Sequence, residues 1–242
     1  CIRDRALVLI KDLVRAKTRL AGLLSPSERR ILAQAMLEDV LATLASHPDV
    51  QGITLVSDDS SADLLAARYG AVHWPEKAMG LRGLNAVAKA ASARLLAQHN
   101  SPVLLVHADL PLLSSGDISA VLASLGHTPT LVIGCDRHGV GTNLLCFDAA
   151  SMPAFCFGPD SCIGHMAWAK AKKIPAVVLR RLGTGLDVDE PGDVAHLLPR
   201  LESISTGKTA ACLGRTDLGA RVRLALESLL LGDSAPGTTG VN

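Results

Sequence analysis

The sequence predicts an α/β protein with a mostly parallel sheet and helices on both faces. Short β-branched or Leu-rich runs alternate with longer helical patterns along most of its 242 residues, the mark of successive βα units. With 48% apolar and 19% charged residues, the chain has the composition of a folded protein and can bury a sizeable core. The length allows one large domain, or one domain with an appendage.

The elements follow in order. Ala6 to Ile10 reads as the first strand, then a basic loop, then a helix opened by Ser25-Pro26-Ser27-Glu28. Ser25 and Glu28 have capping-box spacing, Pro26 suits a first helical position, and the helix should run to about Leu44. Gly52 to Val56 is a strand, Ser61 to Tyr69 a helix, Ala71 to Trp74 a short strand and Leu84 to Ala97 an Ala-rich helix. Pro102 to His107 reads as a central buried strand, with another helix after Leu113. Leu131 to Cys135 and Asn143 to Phe147 flank a Gly-rich turn, and Ser161 to Lys172 is helical. Ala176 to Leu179 and Leu186 to Val188 are short strands, and Pro191 opens a helix to about Leu201.

The main α/β domain is expected over residues 1–202. Residues 203–242 are expected to be an appendage: a Ser/Thr/Gly-rich linker to about residue 216, a tail helix and a flexible end. Leu218, Val222, Leu226 and Leu229 share one face of that helix, which should dock.

Charge and composition exclude several functions. A formal charge of +1 is far from that of a basic nucleic-acid-binding domain, and six aromatic residues are too few for base-stacking platforms. No nucleic-acid or membrane partner is expected. The six cysteines form no C-x-x-C pair and read as free thiols. Without a secretory segment or a long apolar run, a cytoplasmic location is expected. The chain begins with Cys1 and not Met, as a piece of a longer chain would. Gly207-Lys208-Thr209 lacks the earlier glycine of a phosphate loop, since Glu202 stands there. Gly139-Val140-Gly141 lacks the last glycine of a dinucleotide fingerprint, and no G-x-S-x-G elbow or H-x-x-x-H pair is present.

Three acidic residues remain. Asp109 follows the central apolar run, so it should stand at the carboxyl end of a strand, where open parallel sheets bind ligands. Its other reading is a cap for the next turn. Asp187 and Asp189 are two apart in a strand-like stretch and should project from one face. Carboxylates held together repel unless a cation neutralises them, and hard oxygen donors suit Mg²⁺; the other reading is an acidic helix start. Lys11, Arg15, Lys17 and Arg19 follow the first strand on the same expected side, as a polyphosphate site or as a solvated loop. Gly158-Pro159-Asp160-Ser161 precedes a helix, so Ser161 could receive an anion or cap the helix.

The ordered set LVLIKDLVRAKTRL, LSPSERR, GLNAVAKAA, HADLPLL, DRHGVGTN, FGPDS and GLDVDEP resembles the 2-phospholactate or phosphoenolpyruvate guanylyltransferase family, over about residues 5–201. That family makes the guanylylated precursor of the deazaflavin coenzyme factor 420. The resemblance implies a Rossmann-like nucleotidyltransferase fold, Mg²⁺ as cofactor, GTP as donor and a small phosphorylated acid as acceptor, with pyrophosphate released. The acid would be phosphoenolpyruvate, 2-phospholactate or 3-phosphoglycerate. By position, Asp109, Asp187 and Asp189 become the metal carboxylates, and Thr142, Gly158 and Ser161 the acid site. Lys11, Lys17 and Arg19 would face the nucleotide phosphates, Asn85 would lie near the nucleotide, and Asp109, Lys17 and Lys11 would carry catalysis. The chain departs from the family beside His165, where Gly164 stands in place of a basic residue common in relatives. A nucleotidyltransferase for molybdopterin or a sugar phosphate, or a catalytically silent nucleotide-binding regulator, are the competing readings. A homodimer stays open as the assembly.

Overall fold

A computed structural model describes residues 4–10, 13, 17–126, 129–203, 206–214 and 217–232. Its elements are β1 (Asp4–Leu9), α1 (Pro26–Ser46), β2 (Val50–Val56), α2 (Ala62–Arg68), β3 (Val72–Trp74), α3 (Leu84–His99), β4 (Val103–His107) and α4 (Ser115–Leu125). The second half adds β5 (Leu131–Cys135), β6 (Thr142–Phe147), α5 (Ser161–Lys172), β7 (Ala176–Leu179), α6 (Leu182–Gly185), α7 (Pro191–Glu202), α8 (Lys208–Gly214) and α9 (Asp217–Gly232). The described strands form a seven-stranded sheet in the order β3-β2-β1-β4-β6-β5-β7. All but β6 run the same way; β6 is antiparallel to both β4 and β5.

Side-chain alternation along the central strands divides the core. Val8, Leu104 and Val106 pack on one face with Leu37 and Leu41 of α1, Leu65 of α2 and Ile118 of α4. Leu7 and Leu105 point the other way, against Val87 and Ala91 of α3 and Cys162 and Ala169 of α5. Both faces are covered, as a parallel sheet requires. Two helices start with reciprocal caps: Ser25 with Glu28 for α1, and Ser114 with Asp117 for α4. No disulfide joins the five described cysteines.

Two expectations need correction. Leu186 to Val188 is not a strand: it follows the short α6 and crosses the carboxyl ends of the sheet instead of lying beside a strand. Val188 N–H links it to that edge by donating to the Asp109 carbonyl at 3.3 Å. The supposed linker contains α8, whose first N–H groups, on Lys208 and Thr209, donate to the Asp39 carboxylate on α1 at 2.6 and 2.8 Å. The tail helix α9 docks as its apolar face predicts. Val222 and Leu226 join Leu213 of α8, Leu32 and Met36 of α1 and Leu197 of α7 in a third apolar cluster. Residues 233–242 lie outside the described residues.

Candidate active site

Strand order reverses between β1 and β4, which pair in register from Arg5 with Val103 to Leu9 with His107. The connections after these two strands leave in opposite directions, so a crevice opens at their carboxyl ends. Lys17 enters it from the loop after β1, and Asp109 from the turn after β4. Asp189 arrives on the crossing segment, where its backbone N–H is held by the Asp193 carboxylate at 2.8 Å. A cavity of about 370 Å³ lies here, lined in part by Lys17, Met36, Leu84, His107, Asp109 and Asp189.

Lys17 joins the pieces. Its backbone is left-handed, with φ 57°, an unusual conformation for a residue with a Cβ and one that functional sites hold by their surroundings. Nζ donates to Asp109 Oδ2 at 2.5 Å and to Asp189 Oδ1 at 2.8 Å. Burial disfavours its charge, but the two carboxylates outweigh burial and raise its pKa. Burial likewise opposes ionisation of Asp109, yet the Lys17 charge wins and holds that carboxyl below its ordinary value. Asp187 differs. Burial, then the Asp109 charge, push its carboxyl up to about 6, although the Asn143 amide donates to Oδ1 at 3.0 Å.

Among the described residues, no three His, Cys, Asp or Glu side chains stand together as a ready metal cage. The Lys17 ammonium lies between Asp109 and Asp189, where the sequence placed a cation. Asp109 Oδ1 is nevertheless buried without a hydrogen-bond partner among the described residues.

Of the residues expected around the acid, Thr142, Gly158 and Ser161 do not line this cavity; Thr142 connects to it through His165, Phe157 and His107. Thr142 opens β6 at the same sheet edge, directly before Asn143. Gly158 has φ 136°, which favours glycine, and Asp160 turns left-handed at φ 56° to start α5. Ser161 is the first residue of that helix and is buried. Asp160, not Ser161, occupies the cap position, and no side chain caps the helix. Asn85 is committed to the preceding segment: its Nδ2 donates to the Phe157 carbonyl at 3.1 Å, and its Oδ1 accepts the Phe157 N–H at 2.6 Å. Arg19 is exposed on the turn after Lys17, while Lys11 and Arg15 lie outside the described residues.

Two histidines went unassigned in the sequence. His107 ends β4, lines the cavity and packs on Phe157 with centroids 5.0 Å apart. Burial lowers its pKa. His165 lies edge-on to Phe157 at 5.4 Å and touches Thr142 Oγ1 through Nδ1 at 3.1 Å. His107 stands inside the HADLPLL motif, but an apolar run explains that position equally well. Gly164 has a steric reason: a Cβ there would come 2.7 Å from Cys156 Sγ.

Solved structures that share this chain path include nucleotide-diphospho-sugar and nucleotidyl transferases, and the likeness is one of fold, a Rossmann-like α/β sheet. A Desulfovibrio desulfuricans protein described as a nucleotide-diphospho-sugar transferase superposes with TM-score 0.76, covering 93% of this chain and 99% of that one at 20% identity. A 4-diphosphocytidyl-2C-methyl-D-erythritol synthase of Anaerococcus prevotii gives 0.55, at 83% and 96% coverage and 11% identity. Sequence is more specific. The family model for guanylyl transferases of the CofC-like kind matches residues 4–206, and the chain belongs to that family. It is 33% identical over 192 residues to a phosphoenolpyruvate guanylyltransferase of Sphaerobacter thermophilus, covering 79% of this chain and 91% of the relative. A relative of the same name from Nocardia farcinica is 34% identical over 221 residues, covering 90% and 93%.

Proposed function

We propose that the protein transfers GMP from GTP to the phosphate of a small phosphorylated acid and releases pyrophosphate, as a step toward the deazaflavin coenzyme factor 420. Phosphoenolpyruvate is the first candidate acid, since relatives spanning most of the chain carry that name. The carrying observation is the meeting of Lys17 with Asp109 and Asp189 in one crevice at the carboxyl ends of the sheet.

An oxygen of the acid's phosphate forms the new bond to the α-phosphorus of GTP, and the bond from that phosphorus to the β-phosphate oxygen breaks. The attacking phosphate is already ionised, so no general base is needed. The crevice has to align the two anions and neutralise charge. Thr142, Gly158 and Ser161 hold the acid, while Lys17, with Lys11 and Arg19, serves the nucleotide phosphates. Asn85 acts through the Phe157 segment that it braces.

Asp109, Asp187 and Asp189 would hold Mg²⁺. Mg²⁺ takes one or two carboxylates and fills its shell with water and phosphate oxygens, so a ready cage is not required. The unpartnered Asp109 Oδ1 and the charge-strained Asp187 are suitable donors. When bound, the ion supplies charge neutralisation and orientation to phosphate oxygens. GTP as substrate fits a cytoplasmic location, and among the described residues no helix is long and apolar enough to cross a membrane.

The test is pyrophosphate release by purified protein with GTP and Mg²⁺, offered phosphoenolpyruvate, 2-phospholactate and 3-phosphoglycerate in turn. One acid should support turnover well above the others, with GTP preferred to ATP and CTP. Release with none of the three would reject the acceptor class.

A further inference from the structure

His165 is buried completely, and both of its ring nitrogens are engaged. The backbone N–H of Cys156 points at Nε2 from 3.3 Å. A backbone amide can only donate, so Nε2 must present its lone pair. The ring therefore carries its proton on Nδ1. An imidazolium is excluded by the same contact, because two N–H groups would face each other.

Nδ1 lies 3.1 Å from Thr142 Oγ1 and the ring also bonds to the Ser161 backbone; a protonated Nδ1 has no lone pair left to take the hydroxyl's hydrogen. The hydroxyl's own proton is then free for another partner. Among the described residues no carbonyl or carboxylate takes it, and Thr142 is buried. A buried donor without a partner is unfavourable, so the position calls for a ligand atom with a lone pair. An ionised oxygen is the strongest such acceptor.

We propose that His165 is a positioning residue: it fixes the polarity of the Thr142 hydroxyl as a donor, so that at this point the site selects an ionised phosphate or carboxylate oxygen. The proposal rests on the acceptor reading of Thr142 given above. The ring is held in place from several sides. Phe157 meets it edge-on, and Gly164, on the same helix, leaves room for Cys156, whose N–H sets the ring's protonation.

The ring proton can be located directly by long-range ¹⁵N–¹H correlation on labelled protein at pH 7, with His165→Asn identifying the signal. A protonated Nδ1 and a bare Nε2 are expected; a proton on Nε2 overturns the proposal. Steady-state kinetics supply the second arm. His165→Leu should raise KM for the phosphorylated acid by about ten- to a hundredfold, the worth of one hydrogen bond to a charged group, with KM for GTP unchanged. His165→Asn places an amide N–H where Nδ1–H stood and should recover most of the loss. In a Thr142→Val background, His165→Leu should add nothing further. Equal losses in the Asn and Leu variants, spread over kcat and both KM values with a lower melting temperature, would show a packing role and overturn the proposal. The ring measurement needs no turnover. A proton on Nδ1 in a protein that uses no phosphorylated acid would reject the acceptor reading alone. A proton on Nε2 in an active guanylyltransferase would reject only the role given to His165.

Discussion

Asp109→Asn and Asp189→Asn each remove one negative charge facing Lys17 while keeping side-chain shape. If these carboxylates manage charge in the crevice, turnover should fall by about a hundredfold or more, with the melting temperature held within a few degrees. Near-normal pyrophosphate release by both variants would remove them from the mechanism. Asp187 makes a separate prediction, because its carboxyl titrates at about 6 in the fold against 3.8 in the unfolded chain. A raised carboxyl pKa means that the native state binds the proton more tightly. Stabilisation from this group is therefore present below the unfolded value and is lost as pH rises through about 6. In cation-free protein, Asp187→Asn should melt higher than the parent at pH 8, by roughly 2–4 °C, and the gap should shrink at pH 5. A gap that does not change with pH would show that Asp187 is not strained by its neighbours. Asp109 was legible because it follows an apolar run, and Asp187 and Asp189 because they stand two apart in a strand-like stretch. The neutralisation of Asp109 and Asp189 by Lys17 was not, since the lysine lies 92 positions from the first and 172 from the second.

Among the elements, β5, α5 and β7 have the bounds that periodicity and flanking residues indicate. The misreadings share a cause. Leu186 to Val188 has strand composition, but Gly183 and Gly185 turn the chain into the short α6 just before it. At Gly183 a Cβ would stand 2.0 Å from Asp117 Oδ2 and 2.7 Å from the Leu112 carbonyl, a close approach only glycine allows. Gly207, directly before α8, has no side chain to offer, and the Lys208 and Thr209 N–H groups are satisfied by Asp39, far back on α1. Local sequence cannot display a partner of that kind. Asp39→Ala should cost about 1 kcal/mol, as the loss of a helix cap does, and lower the melting temperature by roughly 2–4 °C. The kinetic constants should not move. An unchanged melting temperature would mean that water replaces the carboxylate without loss.

At the scale of the whole molecule, α8 and α9 complete the side of α1 that faces away from the sheet. Leu213, Val222 and Leu226 are buried against Leu32, Met36 and Leu197, and burying such a side chain contributes about 1.5–3 kcal/mol. A chain stopped after residue 203 should therefore melt at least about 10 °C lower or aggregate, although no residue of the crevice has been removed. A truncated protein with unchanged melting and unchanged turnover would make the last helices dispensable. The family model ends at residue 206, so this layer falls almost wholly outside the matched region.

The crossing segment also orders events during synthesis. All seven described strands have been made once Leu179 is added, yet Asp187 and Asp189 are still to come. A nascent or prematurely terminated chain can then own a complete sheet and still have no working crevice, because Lys17 waits for a carboxylate 172 positions downstream. Turnover is consequently a late reporter: it registers that the chain has been read past its scaffold, and spectroscopic signs of a folded sheet should precede it.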